Sequence, residues 1–419
     1  MKILILTQWY PPEPIKMMPD MSETLQALGH DVTVLTGFPN YPSGKLYPGY
    51  HLKLWQREER NGVRIVRVPL FPDHSRSSLK RTLNFLSFAI SATLLGFWLI
   101  RRPDVIHVVH PPITIGLPAV VLSFAWGVPF TLEIQDMWPE NLRSTGMLTD
   151  ERLLRLIGSF ARWVYFKAAR VRVISAGFRM NLLSKGVPDA KIRVISNWVD
   201  TSYYRPLPRD PNVAERFGLS NRFNVLYAGT IGLASRLDVV IDAARLLCDV
   251  PEVQFVLAGD GVELERLRQV AGGAGLKNIK FLGFVPMDLT PQLYAEADVL
   301  LVHLKDDPLF KITIPHKVFT YLAAGKPVLA AISGDAAALV ESAGAGITCP
   351  PSNGEALASA VREFLAMTED ERAALGQRGR ETACRSYSRP HLVEQIEAMC
   401  ADVCSMPISS SRKMESHGA

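Results

Sequence analysis

Short apolar runs alternate along the chain with stretches in which apolar positions return every three or four residues. This is the pattern of strands that feed crossover helices and align in parallel sheets. In the first half the strand-like runs read KILILT, DVTVLTG, VRIVRV, VIHVVH, PFTLEI, RVRVIS and KIRVIS. In the second half they read FNVLYAG, VQFVLAG, IKFLGFV, DVLLVHL, KPVLAAI and GAGITCP. Prolines in YRPLPRDP, Tyr204 to Pro211, break the alternation and predict a linker. The pattern predicts two doubly wound, Rossmann-like α/β domains facing across a cleft, with ligands at the carboxyl ends of the strands. The expected division is 1–203 for the first domain and 204–386 for the second, a C-terminal helix over 387–405 packing back on the first domain, and a disordered, serine-containing tail over 406–419.

One apolar stretch, LNFLSFAISATLLGFWLI from Leu83 to Ile100, lies between Lys80-Arg81 and Arg101-Arg102. As a helix it would be about 27 Å long at about 1.5 Å per residue, close to the thickness of a bilayer core. The run VIHVV follows after only Pro103-Asp104 and should join the same sheet as KILILT. A span would put those strands on opposite sides of the membrane, so the stretch reads as a buried or half-buried crossover helix. A second segment, ERLLRLIGSFARWVYFKAAR, carries Arg152, Arg155, Arg162, Lys167 and Arg170 among Leu, Ile, Phe, Trp and Tyr. It resembles an interfacial helix drawn to anionic lipid, and an ordinary solvated helix face has the same look. The two stretches predict peripheral contact with the inner, cytoplasmic leaflet.

Composition narrows the class. A chain of 419 residues suits two cores, and 46 Lys+Arg against 41 Asp+Glu is only mildly basic, which argues against nucleic acid as a partner and leaves room for a local basic face. Five scattered cysteines imply no disulfide framework and a reducing, cytoplasmic setting. Cys400 and Cys404 read as two buried small residues rather than a metal pair. Only four apolar residues follow Met1-Lys2, so no signal peptide is expected at this start.

The candidate chemistry sits in strand-to-helix turns. The first turn, TQWYPPEPIKMM, has no glycine to bring backbone close to a nucleotide. In the second half, YAGTIGLASRLD places Gly229, Thr230 and Gly232 after a strand with Arg236 near a helix start, and LAGDG places Gly259, Asp260 and Gly261 likewise. Glycine in such turns serves tight geometry as readily as ligand approach. In IPHKVFTYLAAGKPV, Pro315 opens a helix whose first turn holds His316 and Lys317, which brings backbone N–H groups, the helix dipole and an ammonium to one point. That combination suits a diphosphate. No Mg²⁺-binding carboxylate motif stands out, and Asp306-Asp307 reads equally as a solvated turn. In the first half, TLEIQDMWPENL carries Glu133, Asp136, Trp138 and Glu140 after a strand, suited to sugar binding or proton transfer, and alternatively to helix capping around a core Trp. The loop FPNYPSGKLYPGY, with Tyr41, reads as a lid or binding loop.

Together YPPEP, ALGHDVTVLTGFPNYPSGKLYPGY, QDMWPE, VISNWVD, LYAGTIGLASRLDVVIDAA, LAGDG, FLGFVP and IPHKVFTYLAAGKPVLA resemble glycosyltransferase family 4, the retaining GT-B enzymes, and within it the bacterial amino-sugar (fucosamine-type) transferases of O-antigen and capsule assembly. The resemblance implies a nucleotide-sugar donor, most simply UDP-linked, on the second domain at Gly229, Thr230, Gly232, Gly259, Asp260, Gly261, Val285, Pro315, His316, Lys317 and Thr320. It implies a polyprenyl-diphosphate-linked sugar acceptor on the first, at Pro14, Ile15, Lys16, Tyr41, Trp138 and Glu140, with Met17 and Met18 toward the lipid chain. Catalysis without metal or other cofactor is then expected from Lys317, Arg236 and Asp136. The sequence departs from the family where Ile312 and Thr320 replace a usual glutamate pair, where Thr230 and Ser235 fall near a usual Arg and Lys, and where Ile15-Lys16 replaces a small pair. A nucleotide-sugar 2-epimerase of this architecture and a non-catalytic membrane-associated homologue remain as alternatives. A dehydrogenase is disfavoured because no G-x-G-x-x-G follows the first strand.

Overall fold

The computed structural model describes residues 1–75 and 77–406. It divides into two compact units, Met1–Ser196 together with the segment from Leu392, and Asn197–His391.

The first unit is built on eight strands: β1 (Lys2–Leu6), β2 (Asp31–Gly37), β3 (Gln56–Arg60), β4 (Val63–Val68), β5 (Val105–His110), β6 (Phe130–Ile134), β7 (Arg170–Val173) and β8 (Ile192–Val194). Their order is β3-β4-β2-β1-β5-β6-β7-β8, and every neighbour pairs in parallel except β3 with β4. The sheet runs outward in both directions from β1, so the turns after β1 and β5 lie at its switch point. The strands are nearly continuous apolar runs because a parallel sheet is covered on both faces; Ile3, Leu4, Ile5 and Leu6 are all buried. The helices are α1 (Met17–Ala27), α2 (Ser78–Leu99), α3 (Gly116–Trp126), α4 (Glu140–Ser144), α5 (Glu151–Lys167) and α6 (Ala176–Ser184). The stretch Leu83–Ile100 is thus part of the β4-to-β5 crossover. One side of α2, with Asn84, Phe88, Ala89, Ala92 and Gly96, is buried. The antiparallel strand β3, QREER, has no apolar alternation and escapes the hydrophobic pattern. It forms because Asn61 and Gly62, both at positive φ, make a tight hairpin with β4.

The second unit carries β9 (Phe223–Ala228), β10 (Val253–Ala258), β11 (Ile279–Gly283), β12 (Val299–His303), β13 (Val328–Ala331) and β14 (Gly346–Cys349), all parallel in the order β11-β10-β9-β12-β13-β14. Its helices are α7 (Pro211–Phe217), α8 (Asp238–Leu246), α9 (Leu264–Gly273), α10 (Thr290–Ala295), α11 (Pro308–Lys311), α12 (His316–Ala323), α13 (Asp335–Ser342), α14 (Gly354–Ala366) and α15 (Glu369–Ser386). Alternate residues of each strand feed two cores, one packed with α12 and α13 and the other with α8 and α14. Here the order reverses at β9.

The division between the units falls before the proline-rich stretch, not at 203/204. Trp198 and Val199 are buried, the Val199 N–H donates to Tyr387 O at 2.9 Å, and Tyr204 belongs to the core of the second unit. The last helix, α16 (Arg389–Ser405), enters the first unit from Leu392. There His30 meets Glu397 at 2.8 Å and Arg170 meets Asp402 at 2.8 Å. Cys400 is buried, but Cys404 is exposed, which corrects the expectation of a buried pair. The expected disordered tail lies, from Pro407 on, outside the described residues.

Candidate functional site

In the second unit the turns after β9 and β10 interlock. The Gly229 N–H donates to Ala258 O at 2.9 Å, Ile231 N–H to Asp260 O at 2.9 Å, and Glu263 N–H back to Ile231 O at 3.1 Å. A Cβ at Gly259, where φ is +144, would stand 1.8 Å from Gly229 O, so only glycine permits this lacing. At Gly229, φ +143, a Cβ would instead meet Lys317 Nζ at 2.6 Å. Gly232 carries no such constraint: its nearest neighbour would be Thr230 Cγ2 at 3.7 Å. Beneath the turn, Tyr227 Oη donates to Thr230 O at 2.7 Å and Ser235 Oγ joins the same carbonyl at 2.7 Å. The buried imidazole of His303 supports the other end, with Nδ1 on Ser235 O at 2.8 Å.

Lys317, in the first turn of α12 after the N-cap Pro315, lays its ammonium over the Tyr227 ring at 3.6 Å from the centroid. No carboxylate pairs with it among the described residues, and burial pulls it down to about 7. The arrangement is a cation held at the mouth of two glycine turns beside a helix N-terminus. Asp260 is exposed at the rim, where its carboxylate accepts from the Gly261 N–H at 2.7 Å. Other expected residues have contacts of their own. Arg236 is exposed and ion-paired with Asp238 at 3.0 Å. His316 turns its ring to Trp198 O at 3.1 Å. Thr320 is buried, its hydroxyl donating to Lys317 O at 3.0 Å, and Val285 packs at the edge of the core. Asp307 caps α11 and Asp306 pairs with Lys311 at 2.9 Å, so this turn is occupied by its own contacts.

In the first unit the glycine-free turn is ordered by Glu13. Its carboxylate accepts the N–H groups of Tyr10 at 2.9 Å, Asn40 at 2.9 Å and Tyr41 at 2.8 Å, tying the turn to the Phe38–Tyr50 loop. Burial raises its pKa despite those donors. Arg67, fully buried, donates to Gly37 O at 3.0 Å and to Pro11 O. Asn84 of α2 accepts from Gln8 at 2.7 Å and donates to Phe71 O at 2.7 Å and Asn40 at 3.3 Å. Pro14 and Lys16 are thereby left exposed and Ile15 half-buried at the start of α1, while Met17 is half-buried. Met18, expected toward a lipid chain, is core, at 4% exposure.

Aromatic rings run from this turn toward β6: Tyr41 to Trp9 at 5.3 Å, Trp9 to Phe85 at 6.4 Å, Phe85 to Trp138 at 6.4 Å, and Trp138 to His110 at 5.6 Å. Asp136, after β6, is half-buried with no hydrogen-bond partner among the described residues, and burial raises its carboxyl pKa. Glu140 is spent: Lys185 holds it at 2.7 Å and Asn181 at 3.3 Å, fixing α4. Glu133 is a core group. Burial alone would raise its pKa, but Arg172 and His107 outweigh that and hold it at about 2.

Glu13, His110 and Tyr227 were not singled out by the sequence. His110, at the end of β5, is wholly buried, neither ring nitrogen meets another residue's hydrogen-bonding group among the described residues, and burial drives its pKa to about 3. A histidine ending an apolar strand just before Pro111-Pro112 was the available signal.

Two doubly wound units, the second with a lysine that pairs with no carboxylate among the described residues and lies beside a glycine turn, fit the GT-B class of glycosyltransferases. Residues 16–198 match the Glycosyl transferase 4-like domain and residues 212–382 match Glycosyl transferases group 1. The chain is 28% identical over 410 residues to WcaI of Escherichia coli strain K12, named for colanic acid biosynthesis as a glycosyl transferase, covering 94% of this chain and 98% of that one. It is 26% identical to the Pseudomonas aeruginosa protein WbjE, named as a glycosyltransferase, over 75% of this chain and 77% of that one. Among solved structures, Anabaena HepE in complex with UDP superposes with a TM-score of 0.71 at 20% identity, covering 96% of this chain and 100% of the other. WaaG, a glycosyltransferase involved in lipopolysaccharide biosynthesis, gives 0.63 at 15% identity, with coverage of 96% and 100%. The chain belongs to the family 4 type of GT-B glycosyltransferases.

Proposed function

We propose that the protein transfers a sugar, with retention, from a UDP-linked donor held by the second unit to a polyprenyl-diphosphate-linked sugar held by the first, in the assembly of a bacterial surface polysaccharide. The observation that carries the donor half is the ammonium of Lys317, unpaired and partly neutralised, beside the Gly229 turn. A diphosphate supplies the missing counter-charge and restores the proton to the lysine. HepE, the solved relative that binds UDP, supports that choice of nucleotide. The aromatic run and the unpartnered Asp136 support a sugar acceptor on the first unit, since aromatic faces suit the apolar faces of sugar rings.

In the step itself the bond from the anomeric carbon to the β-phosphate oxygen breaks while Lys317 and the first-turn amides of α12 stabilise the departing charge. The acceptor oxygen forms the new glycosidic bond, its proton passing to the departing phosphate, and Asp136 orients the attacking hydroxyl. Retention and freedom from metal belong to this reading, as do an N-acetylated amino sugar as the transferred group and a cytoplasmic location against the inner membrane leaflet; the relative named for colanic acid biosynthesis supports the polysaccharide setting. Incubation with a panel of nucleotide sugars and a lipid-diphosphate sugar, read by mass spectrometry, tests it. A new glycolipid with the donor's anomeric configuration is expected. Epimerised donor without glycolipid would assign an epimerase instead.

A further inference from the structure

The outward side of α2 is apolar along its whole length. Leu79, Leu83, Leu86, Ile90, Leu94 and Phe97 recur at three- and four-residue spacing, all between 40% and 70% exposed, opposite the buried side that packs on the sheet and on α3. A Cβ at Gly96 would come within 2.9 Å of Leu35 and 3.2 Å of Leu122, so the helix is seated tightly and its stripe stays outside. Phe97 stacks on Trp126 of α3 at 6.2 Å, extending the apolar surface to α3, where Phe124 is 80% exposed; Trp98 is 81% exposed. Among the described residues α2 is the one helix long and apolar enough to span a membrane, yet it joins two strands of one sheet.

Charge decides what covers this face. Between Arg81 and Arg101 there is no charged residue, and none between Asp104 and Glu133. Lys80 and Arg81 stand at one end of α2 and Arg101 and Arg102 at the other, and none of the four pairs with a carboxylate among the described residues. A second copy laid on the stripe, parallel or antiparallel, would set cations against cations. An anionic bilayer answers all three features: acyl chains for the stripe, lipid phosphates for both cationic ends, and no acid along α2 or α3 to repel them.

We propose that α2, with the adjoining end of α3, is the bilayer-docking face of this protein, lying along an anionic phospholipid surface with its stripe among the acyl chains. The inference rests on the lipid-linked-acceptor reading and gives that acceptor its route. The first turns of α2 also carry Asn84, bonded to Gln8, Asn40 and the Phe71 carbonyl, and Phe85, which touches Trp9 and Trp138. The helix that meets the lipid is the one that holds the acceptor turn.

The test is co-sedimentation of the full chain with vesicles of phosphatidylcholine alone or mixed with phosphatidylglycerol, beside UDP affinity and circular dichroism. Binding to the anionic vesicles is expected, weakened by raising salt from about 0.1 M to about 1 M, over which screening shortens to about 3 Å. Ile90→Glu with Leu94→Glu should lower binding at least about tenfold with UDP affinity unchanged. Brominated acyl chains should quench emission in the wild type and do so markedly less in Trp98→Phe, a readout that does not depend on the double variant folding. No vesicle binding, or equal quenching in Trp98→Phe, overturns the proposal. A dimer formed without lipid and abolished by the double variant would assign the stripe to a second copy and also overturn it. Vesicle binding without transfer to any lipid acceptor would overturn the acceptor reading and leave the docking face standing.

Discussion

The Lys317 ammonium stands 3.6 Å from the centre of the Tyr227 ring, held there by burial and by a ring face rather than by a carboxylate. A cation so placed is poorly solvated and gives up its proton readily. On the proposed reading it receives the donor diphosphate, with a strength that depends on pH and on arrival of the ligand.

Lys317→Met should therefore weaken UDP about tenfold or more, the loss of a charge-assisted contact of about 1.5 to 3 kcal/mol. Wild-type affinity should fall as pH rises through about 7, where the free protein sheds the lysine proton, and the variant should lack that component. Stability has the opposite sign. Above about 7 the unfolded chain still holds a proton that the native lysine has lost, so this group adds stability as pH rises toward its ordinary 10.5. Calorimetry and thermal melts of both proteins across pH 6 to 10 check the two slopes.

The neighbouring glycines separate geometry from ligand contact. Gly229→Ala places a Cβ 2.6 Å from Lys317 Nζ at a backbone angle of +143°, which should displace the ammonium, strain the turn by about 1 to 3 kcal/mol and weaken UDP. Gly232→Ala meets only Thr230 Cγ2 at 3.7 Å and should bind UDP like the wild type. Similar affinities for both variants would place the nucleotide elsewhere.

The strands were legible because those buried on both faces are written as unbroken apolar runs, and β3 escaped because its charges hid a hairpin signalled only by Asn61-Gly62. The turns at Gly229 and Gly259 and the helix start at Lys317 were legible because each is local turn or helix-start geometry. What sequence could not show was direction. Thr320 and Glu140 occupy promising positions but turn to Lys317 O and Lys185. The work of Glu13 is done on Asn40 and Tyr41, well over twenty residues away, a relation no local pattern carries.

Glu13→Ala should unlock the turn after β1. It leaves two buried N–H groups, of Tyr10 and Asn40, and the part-buried one of Tyr41 without their acceptor, each costing about 1 to 3 kcal/mol if water cannot replace it. The melting temperature should fall by several degrees, and the apparent KM for the lipid acceptor should rise while UDP affinity stays constant. A melt equal to the wild type would show that water satisfies the turn.

Asp136→Asn divides chemistry from stability most cleanly. The carboxyl is half-buried, has no partner among the described residues, and has its pKa raised by burial, so at neutral pH its charge is a cost to the fold. The native state holds that proton more tightly than the unfolded chain does. The group's contribution thus declines as pH rises from the ordinary aspartate value through the raised native one. Replacing it by Asn should leave the melting temperature equal or higher at pH 7 and remove this pH dependence. If Asp136 orients the acceptor hydroxyl, kcat should drop by about 10²-fold or more, with UDP affinity unchanged. Full activity in a stabilised Asn variant would show that the unpaired carboxylate has no part in transfer.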